Sequence, residues 1–364
     1  MSTPQSSSPG LPSSEPLPGG PAVSGILMRA TNVTSVYAAD SGQDVPAVDN
    51  VTVEVPEGKI LGLAGESGCG KTTLGSTLAM IANPPLYVVA GRMEIDGQEI
   101  DLSTLSKSSN QRHRPYRGAT VSLLPQGAMN AISPTLRIRD LVVDVMRAHN
   151  RSTTKAEALD RASDRLKMLE MPTRVLDSYA HQLSGGMKQR MVTVISTLLN
   201  PALLIADEPT SALDVSSQKA LIEMLLAMVE ARIMRGVIFI THDLPVLSMV
   251  TDRLAIMYAG KIVEAGPTEE LVHNARHPYT SALLSSVLDP TQETRTKHVF
   301  GIPGSPPNLA NPPSGCRFHP RCKFAMPECS VKEPEYLHER DHSVACWWAN
   351  EHAFETVPME VNQA

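Results

Sequence analysis

The sequence has no surplus of basic residues: 32 Lys and Arg stand against 38 Asp and Glu, a formal net charge of −6. Neutralising a nucleic-acid backbone or an anionic membrane surface calls for the opposite balance, so no nucleic acid is expected among the partners. Long apolar runs are lacking too. The longest stretch without charge, residues 72–91, carries Thr72, Thr73, Ser76, Asn83, Pro84 and Pro85, and it cannot serve as the roughly 20 apolar residues of a membrane span. A basic and then apolar leader is missing at the N-terminus, which leaves the cytosol as the expected compartment. Cysteine is scarce, with five residues, and a reducing compartment would keep these as thiols or metal ligands rather than as a disulfide scaffold.

What is present is enough chain for about two domains of roughly 150 residues each, with a large core. Residues 1–25 hold six Pro, seven Ser and four Gly with Glu15 as the only charge, a composition expected to stay disordered. From Ile26 to Ala64 the pattern is β-like: Val51, Val53 and Val55 alternate with polar residues before the short apolar run Ile60 to Ala64, which predicts a mixed sheet ending in a buried strand. Residues 137–171 favour helix, with Leu141, Val145, Leu159, Leu166 and Leu169 as core positions. Strands are predicted at Leu203 to Ala206 and Val237 to Ile240, with a helix from about Ser216 to Arg232 between them, the alternation of a parallel α/β core. Five Pro within residues 301–313 mark a stiff connector to a cysteine-containing tail, with the boundary near residue 295 and a last flexible segment at 351–364.

Gly65-Glu66-Ser67-Gly68-Cys69-Gly70-Lys71-Thr72 fits the phosphate-loop pattern G-x-x-x-x-G-K-[ST], between an apolar strand and a predicted helix over 71–81. Glycines at 65, 68 and 70 let successive N–H groups curl toward phosphate oxygens, and the helix adds its positive end. Ser67, Cys69 and Thr73 belong to the same nucleotide-binding stretch; Lys71 reaches the β- and γ-phosphates, and Thr72 offers a hydroxyl to Mg²⁺. Leu203 to Ala206 then delivers Asp207 and Glu208 at a strand end, where such sheets bind ligands. Asp207 can hold the Mg²⁺ shell, and Glu208 can polarise an attacking water. A Gly-rich turn with a chance lysine, or a solvated acidic turn, is the bland alternative to each motif taken alone.

Leu183-Ser184-Gly185-Gly186-Met187-Lys188-Gln189-Arg190 resembles the signature motif of ABC-type ATPases. Ser184 reads as a helix cap, and Gly185 and Gly186 leave bare amides at a second anion-binding helix start. The resemblance implies an α/β fold of the P-loop ABC ATPase type, a mixed or parallel sheet core with a β-subdomain and a helical subdomain at about 127–183, over residues 26–294. It also implies a head-to-tail dimer with a second ATPase subunit, itself or a paralogue, in which the signature of one subunit covers ATP held by the other. Gln126 then looks like the Q-loop glutamine, a Mg²⁺ or water contact in the catalytic set with Glu208 and His242; Asp214 in Ser211-Ala212-Leu213-Asp214 looks like the D-loop, and His242 like the switch histidine touching the γ-phosphate. Tyr37, 28 residues before Gly65, is the candidate for stacking on adenine, with a half-buried strand tyrosine as the other reading.

Met187, His277-Pro278-Tyr279-Thr280, Gly301-Ile302-Pro303-Gly304 and the cysteine tail together resemble the oligopeptide/dipeptide importer ATPases, some of whose relatives serve nickel or oligosaccharides. Implied partners are two transmembrane permease subunits and an extracytoplasmic solute-binding protein, with this chain peripheral on the cytoplasmic face of the cell membrane. A soluble ABC ATPase of translation or DNA repair, or a redox sensor, are the competing readings. Cys316, Cys322, Cys329 and Cys346 are separated by five, six and sixteen residues, without the close Cys-x₂₋₄-Cys pair usual for zinc. A [4Fe–4S] cluster, a zinc ion and free packed thiols all remain open, with Arg317, Arg321 and Lys323 able to offset cluster charge.

Overall fold

The computed structural model describes residues 25–39, 42–106, 112–127, 131–211, 213–285, 302–352 and 355–357. The tail at 1–24 and the boundary expected near 295 lie outside the described residues.

Strands β1 (Ile26–Tyr37) and β2 (Val45–Pro56) alternate buried and exposed positions, as one-sided antiparallel strands do. The strand β3 (Ile60–Ala64), buried at every residue, leads into helix α1 (Lys71–Leu78). Strands β4 (Leu86–Ile95) and β5 (Gln98–Asp101) return to the first pair, giving an antiparallel sheet in the order β2-β1-β4-β5. The single mixed sheet expected over 26–64 is therefore two sheets: β1 and β2 pair with β4, and β3 leaves for another neighbourhood. Periodicity identifies which strands are buried on both faces but not which partners they choose.

The larger sheet is built from β6 (Val121–Leu124), then, beyond helices α2 (Ile138–His149), α3 (Lys155–Met168) and α4 (Gly185–Thr197), from β7 (Leu203–Asp207). Helix α5 (Val215–Glu230) leads to β8 (Gly236–Ile240), and α6 (Leu244–Val250) to β9 (Arg253–Tyr258) and β10 (Lys261–Pro267). After α7 (Thr268–His273) and α8 (Pro278–Ser285), strands β11 (Tyr336–Glu339) and β12 (His342–Ala345) and helix α9 (Trp347–Glu351) complete the described elements. The sheet runs β11-β12-β10-β9-β3-β8-β7-β6, parallel from β9 to β6 and antiparallel beyond. Strand pairing thus crosses the boundary expected near 295, since β12 lies on β10.

Alternation along the parallel strands divides the core. Leu61, Leu63, Leu203, Ile205, Ile238 and Ile240 face α1 and the antiparallel sheet, whereas Ile60, Ala64, Leu204, Ala206, Val237 and Phe239 face the helices α2 to α6. Helix α3 starts on a capping box in which Thr154 and Glu157 exchange bonds. Leu166 and Leu169 are buried as expected. In α2 the buried stripe is Ile138, Val142, Val143 and Met146, while Leu141 and Val145 sit half-buried at its edge, one position away from the predicted stripe.

Candidate nucleotide site

Gly65 and Gly70 hold φ of 147° and 110°, and a Cβ at either would come within 2.1 Å of a backbone oxygen, of Met257 and Ala47 respectively. No side chain fits there, so the loop closes on backbone alone. Gly70 caps α1 without any side-chain bond, leaving the first N–H groups of that helix turned to the space an anion would fill. Lys71 is buried and its Nζ donates to the carbonyls of Gly65 (2.6 Å) and Glu66 (3.0 Å). Cys69 packs beside it as a buried filler, its thiol pushed up by burial against the opposing pull of Lys71. Ser67 and Gly68 are exposed at the loop tip.

The end of β7 meets this loop. Thr72 Oγ1 donates to Asp207 Oδ1 at 3.2 Å, the pair that could hold Mg²⁺. Burial raises the Asp207 carboxyl above its ordinary range, helped by repulsion from Glu208 and opposed by Thr72 and Lys71. A buried carboxylate in that condition gains from a divalent cation. Glu208 takes a φ of 48°, and its carboxylate accepts from the Thr241 hydroxyl (3.2 Å), the His242 N–H (3.2 Å) and, at Oε1, lies 2.8 Å from His242 Nδ1. The β7 and β8 ends thus bring Glu208 and His242 together; Thr241, the third partner, drew no attention in the sequence, although it directly precedes the switch histidine.

Tyr37, at the end of β1, is half-buried and its hydroxyl pairs with Thr73 Oγ1 at 3.2 Å, which places the ring beside the start of α1. Gln126 is exposed in the turn after β6. Ser184 caps α4, its hydroxyl accepting from the Met187 N–H, with Gly185 and Gly186 in the first turn. Gln189 in that helix donates to the Pro209 carbonyl (2.9 Å), tying the signature segment to the loop after β7. Asp214 caps α5 by accepting from the Ser217 N–H (3.0 Å) and hydroxyl (2.9 Å), bonds that hold its carboxyl below the usual range.

The arrangement has the parts needed to bind a nucleoside triphosphate and direct water at its last phosphate: an amide-lined loop, a lysine, a hydroxyl–carboxylate pair for a cation and a polarising carboxylate. Residues 48–211 match the family model of ABC transporters, and residues 263–329 match the C-terminal region of oligopeptide/dipeptide transporters. A dipeptide transport ATP-binding protein of Caldanaerobacter subterraneus is 36% identical over 323 residues, 88% of this chain and 96% of the relative. The chain belongs to the ABC transporter ATP-binding proteins. An oligopeptide transport ATP-binding protein of Bacillus subtilis is 37% identical, with 89% of each chain covered. The fold is also that of the ATP-binding cassette MJ0796, solved as a dimer in a post-hydrolysis state with ADP and Pi (TM-score 0.57, 24% identity, 66% of this chain and 98% of that one). This ABC ATPase has no helix, among the described residues, that is long and apolar enough to cross a membrane.

The four tail cysteines share one neighbourhood: Cys316 feels the charge of Cys329, Cys322 that of Cys316 and Cys329, and Cys346 that of Cys316 and Cys322. Burial first, then this mutual repulsion, pushes Cys316 to about 11 and Cys322 and Cys346 to about 12. Among the described residues, however, no three His, Cys, Asp or Glu side chains form a group that could hold a metal ion. The zinc and cluster expectations are thus without support from a metal-holding group among the described residues.

Proposed function

We propose that this ABC ATPase powers import of dipeptides or oligopeptides through two separate permease subunits, from the cytoplasmic face of the membrane, with an extracytoplasmic solute-binding protein delivering the solute. The observation that carries this reading is the C-terminal region of oligopeptide/dipeptide transporters, folded as part of the same sheet that holds the phosphate loop. It is supported by relatives named as dipeptide and oligopeptide transport ATP-binding proteins, which match nearly the whole chain. Residues 26–294 would form the nucleotide-binding domain and 295–350 its extension.

In this reading Gly65 to Thr73 cradle the ATP phosphates, Tyr37 stacks on adenine, Thr72, Asp207 and Gln126 hold Mg²⁺, and Glu208 polarises the attacking water while His242 contacts the γ-phosphate. Ser184, Gly185, Gly186 and Asp214 act on ATP held by the opposite subunit of a head-to-tail dimer. ATP phosphates then compete with the Gly65 carbonyl for Lys71, and the attacking water competes with His242 for Glu208. Glu208→Gln, assayed in the assembled permease complex, is expected to keep ATP binding and to slow turnover by about a hundredfold or more, ~3 kcal/mol in barrier. Turnover equal to wild type would remove Glu208 from this role.

A second reading concerns the tail. Four thiols brought into one neighbourhood, with Arg317 and Arg321 next to Cys316 and Cys322 in the sequence, are the donor type that a [4Fe–4S] cluster takes, and its ligands stand farther apart than the sulfurs around a single zinc ion. Such a group would close the loops of a short, Pro-interrupted segment, a structural service separate from ATP hydrolysis.

A further inference from the structure

Glu66, the second residue of the phosphate loop, is gripped from the C-terminal region through both its side chain and its backbone. Arg321 presents Nη1 at 2.6 Å to Oε2 and Nη2 at 2.9 Å to Oε1, a bidentate pair. The Arg321 side chain is 6% exposed and that of Glu66 22%, so water screens the pair only weakly. The guanidinium is itself held: Nε donates to the Pro303 carbonyl (2.7 Å) and Nη1 to the Tyr258 hydroxyl (3.2 Å). From α8, the buried Tyr279 hydroxyl accepts the Glu66 N–H at 2.8 Å. Pro306, Pro307 and Leu309 of the connector close over Glu66 and Cys69, leaving a cavity of about 10 Å³, on the order of one water.

The opposite face of the same loop segment is held by Lys71, which donates to the Gly65 and Glu66 carbonyls. A phosphate oxygen would compete with these carbonyls for the three N–H donors of Lys71. Arg321 and Tyr279 bond Glu66 through its carboxylate and its N–H, groups that Lys71 does not use, so their grip is independent of that competition.

We propose that Arg321 is a positioning residue for ATP: its grip on Glu66, with that of Tyr279, keeps the phosphate loop in the curled shape whose N–H groups face the phosphates, so the C-terminal region sets the affinity of the nucleotide site. The proposal rests on the ATPase reading of that site. Pre-organisation of this kind acts on binding, because a loop already in its bound shape spends less conformational entropy when ligand arrives. Arg321→Met keeps the apolar stem and removes the fork; Tyr279→Phe removes only the hydroxyl.

The test is equilibrium binding of the fluorescent trinitrophenyl analogue of ATP to the full chain, with ATP hydrolysis in the permease complex read alongside. Arg321→Met is expected to weaken binding about tenfold and to raise KM for ATP similarly with kcat little changed, and Arg321→Lys to recover part of the loss. Tyr279→Phe should weaken binding in the same direction, which keeps the test in force if Arg321→Met does not fold. Glu66→Gln with Arg321→Met should bind no worse than Arg321→Met alone, since both remove one contact. Wild-type affinity in folded Arg321→Met or in Tyr279→Phe, or additive losses in the double variant, would overturn the proposal. Failure of the wild-type chain to bind the analogue at all would instead overturn the reading of the site, and the proposal with it.

Discussion

At Asp207 the apparent contradiction between folding and function can be measured. The residue is buried at 4% exposure beside another carboxylate, and burial raises its pKa above the unfolded value. A carboxyl with a raised folded pKa resists ionisation, so at pH 7 and above its charge works against the nucleotide-free fold, and the penalty fades as pH falls through the folded value. Asp207→Asn keeps an oxygen for the Thr72 hydroxyl and removes the charge. It is expected to raise the thermal midpoint of the nucleotide-free chain at pH 7.5 by ~2 °C and to abolish Mg²⁺-dependent ATP hydrolysis. A lowered midpoint in calorimetry would show that the buried charge is already compensated. Asp207 was legible in the sequence because an apolar strand ending in two acids is a local pattern. Glu66 was not: its partner Arg321 lies 255 residues away, and nothing in the spacing of either residue hints at the meeting.

Among elements, the segment between α7 and α8, bonded back to Glu264 of β10, carries a buried histidine. His277 Nδ1 accepts the Tyr279 N–H at 3.0 Å, which puts the proton on Nε2, and that nitrogen is buried with no hydrogen-bond partner among the described residues. Burial lowers the ring to about 4, with Glu264 pulling weakly the other way. The folded pKa lies below the unfolded value of about 6.5, so the unfolded chain binds the extra proton first. Stability is therefore fully present above about 6.5 and is lost as pH falls toward 4, by on the order of 3 kcal/mol if no other group intervenes. His277→Gln, whose amide oxygen can accept from the Tyr279 N–H, should give a flatter fall of thermal midpoint between pH 7 and pH 5, whatever its absolute level. Parallel curves for the two proteins would assign the acid sensitivity elsewhere. The sequence did single out His277 to Thr280, but only by resemblance; that Tyr279 touches the phosphate loop follows from how α8 packs after α7, which periodicity does not encode.

For the whole molecule the sequence marked three strands of the parallel core, β3, β7 and β8, though not β6 or β9, and both ends of the phosphate site, since each of these depends on short-range pattern. It left the C-terminal region looking like an appendage on a Pro-rich connector. The reason is that β11 and β12 are only four residues each, too short for a periodic signal, and gain their place because β12 pairs with β10 and β11 with β12. Phe318 lies in the main core against Tyr258 and Tyr279, and Arg317 donates to the Ala259 carbonyl and pairs with Asp49. These anchors bear on the cysteine question, because a region already pinned by a strand, an aromatic cluster and two arginines does not need a metal group for all of its order. Cys316 and Cys329 are joined through backbone as well, the Cys316 N–H donating to the Cys329 carbonyl at 2.8 Å. If a [4Fe–4S] cluster is held, protein purified without oxygen should be brown with about four irons and four sulfides per chain, and Cys322→Ser should bleach it. Loss of the group should then loosen the segment between the anchors, where Arg321 immediately precedes Cys322. Limited proteolysis of Cys322→Ser is expected to cut beyond residue 302 while the core survives, and its ATP affinity should fall in step with that of Arg321→Met. A colourless anaerobic preparation with no bound metal would leave the four cysteines as packed thiols and the anchors as the whole account of the region's order.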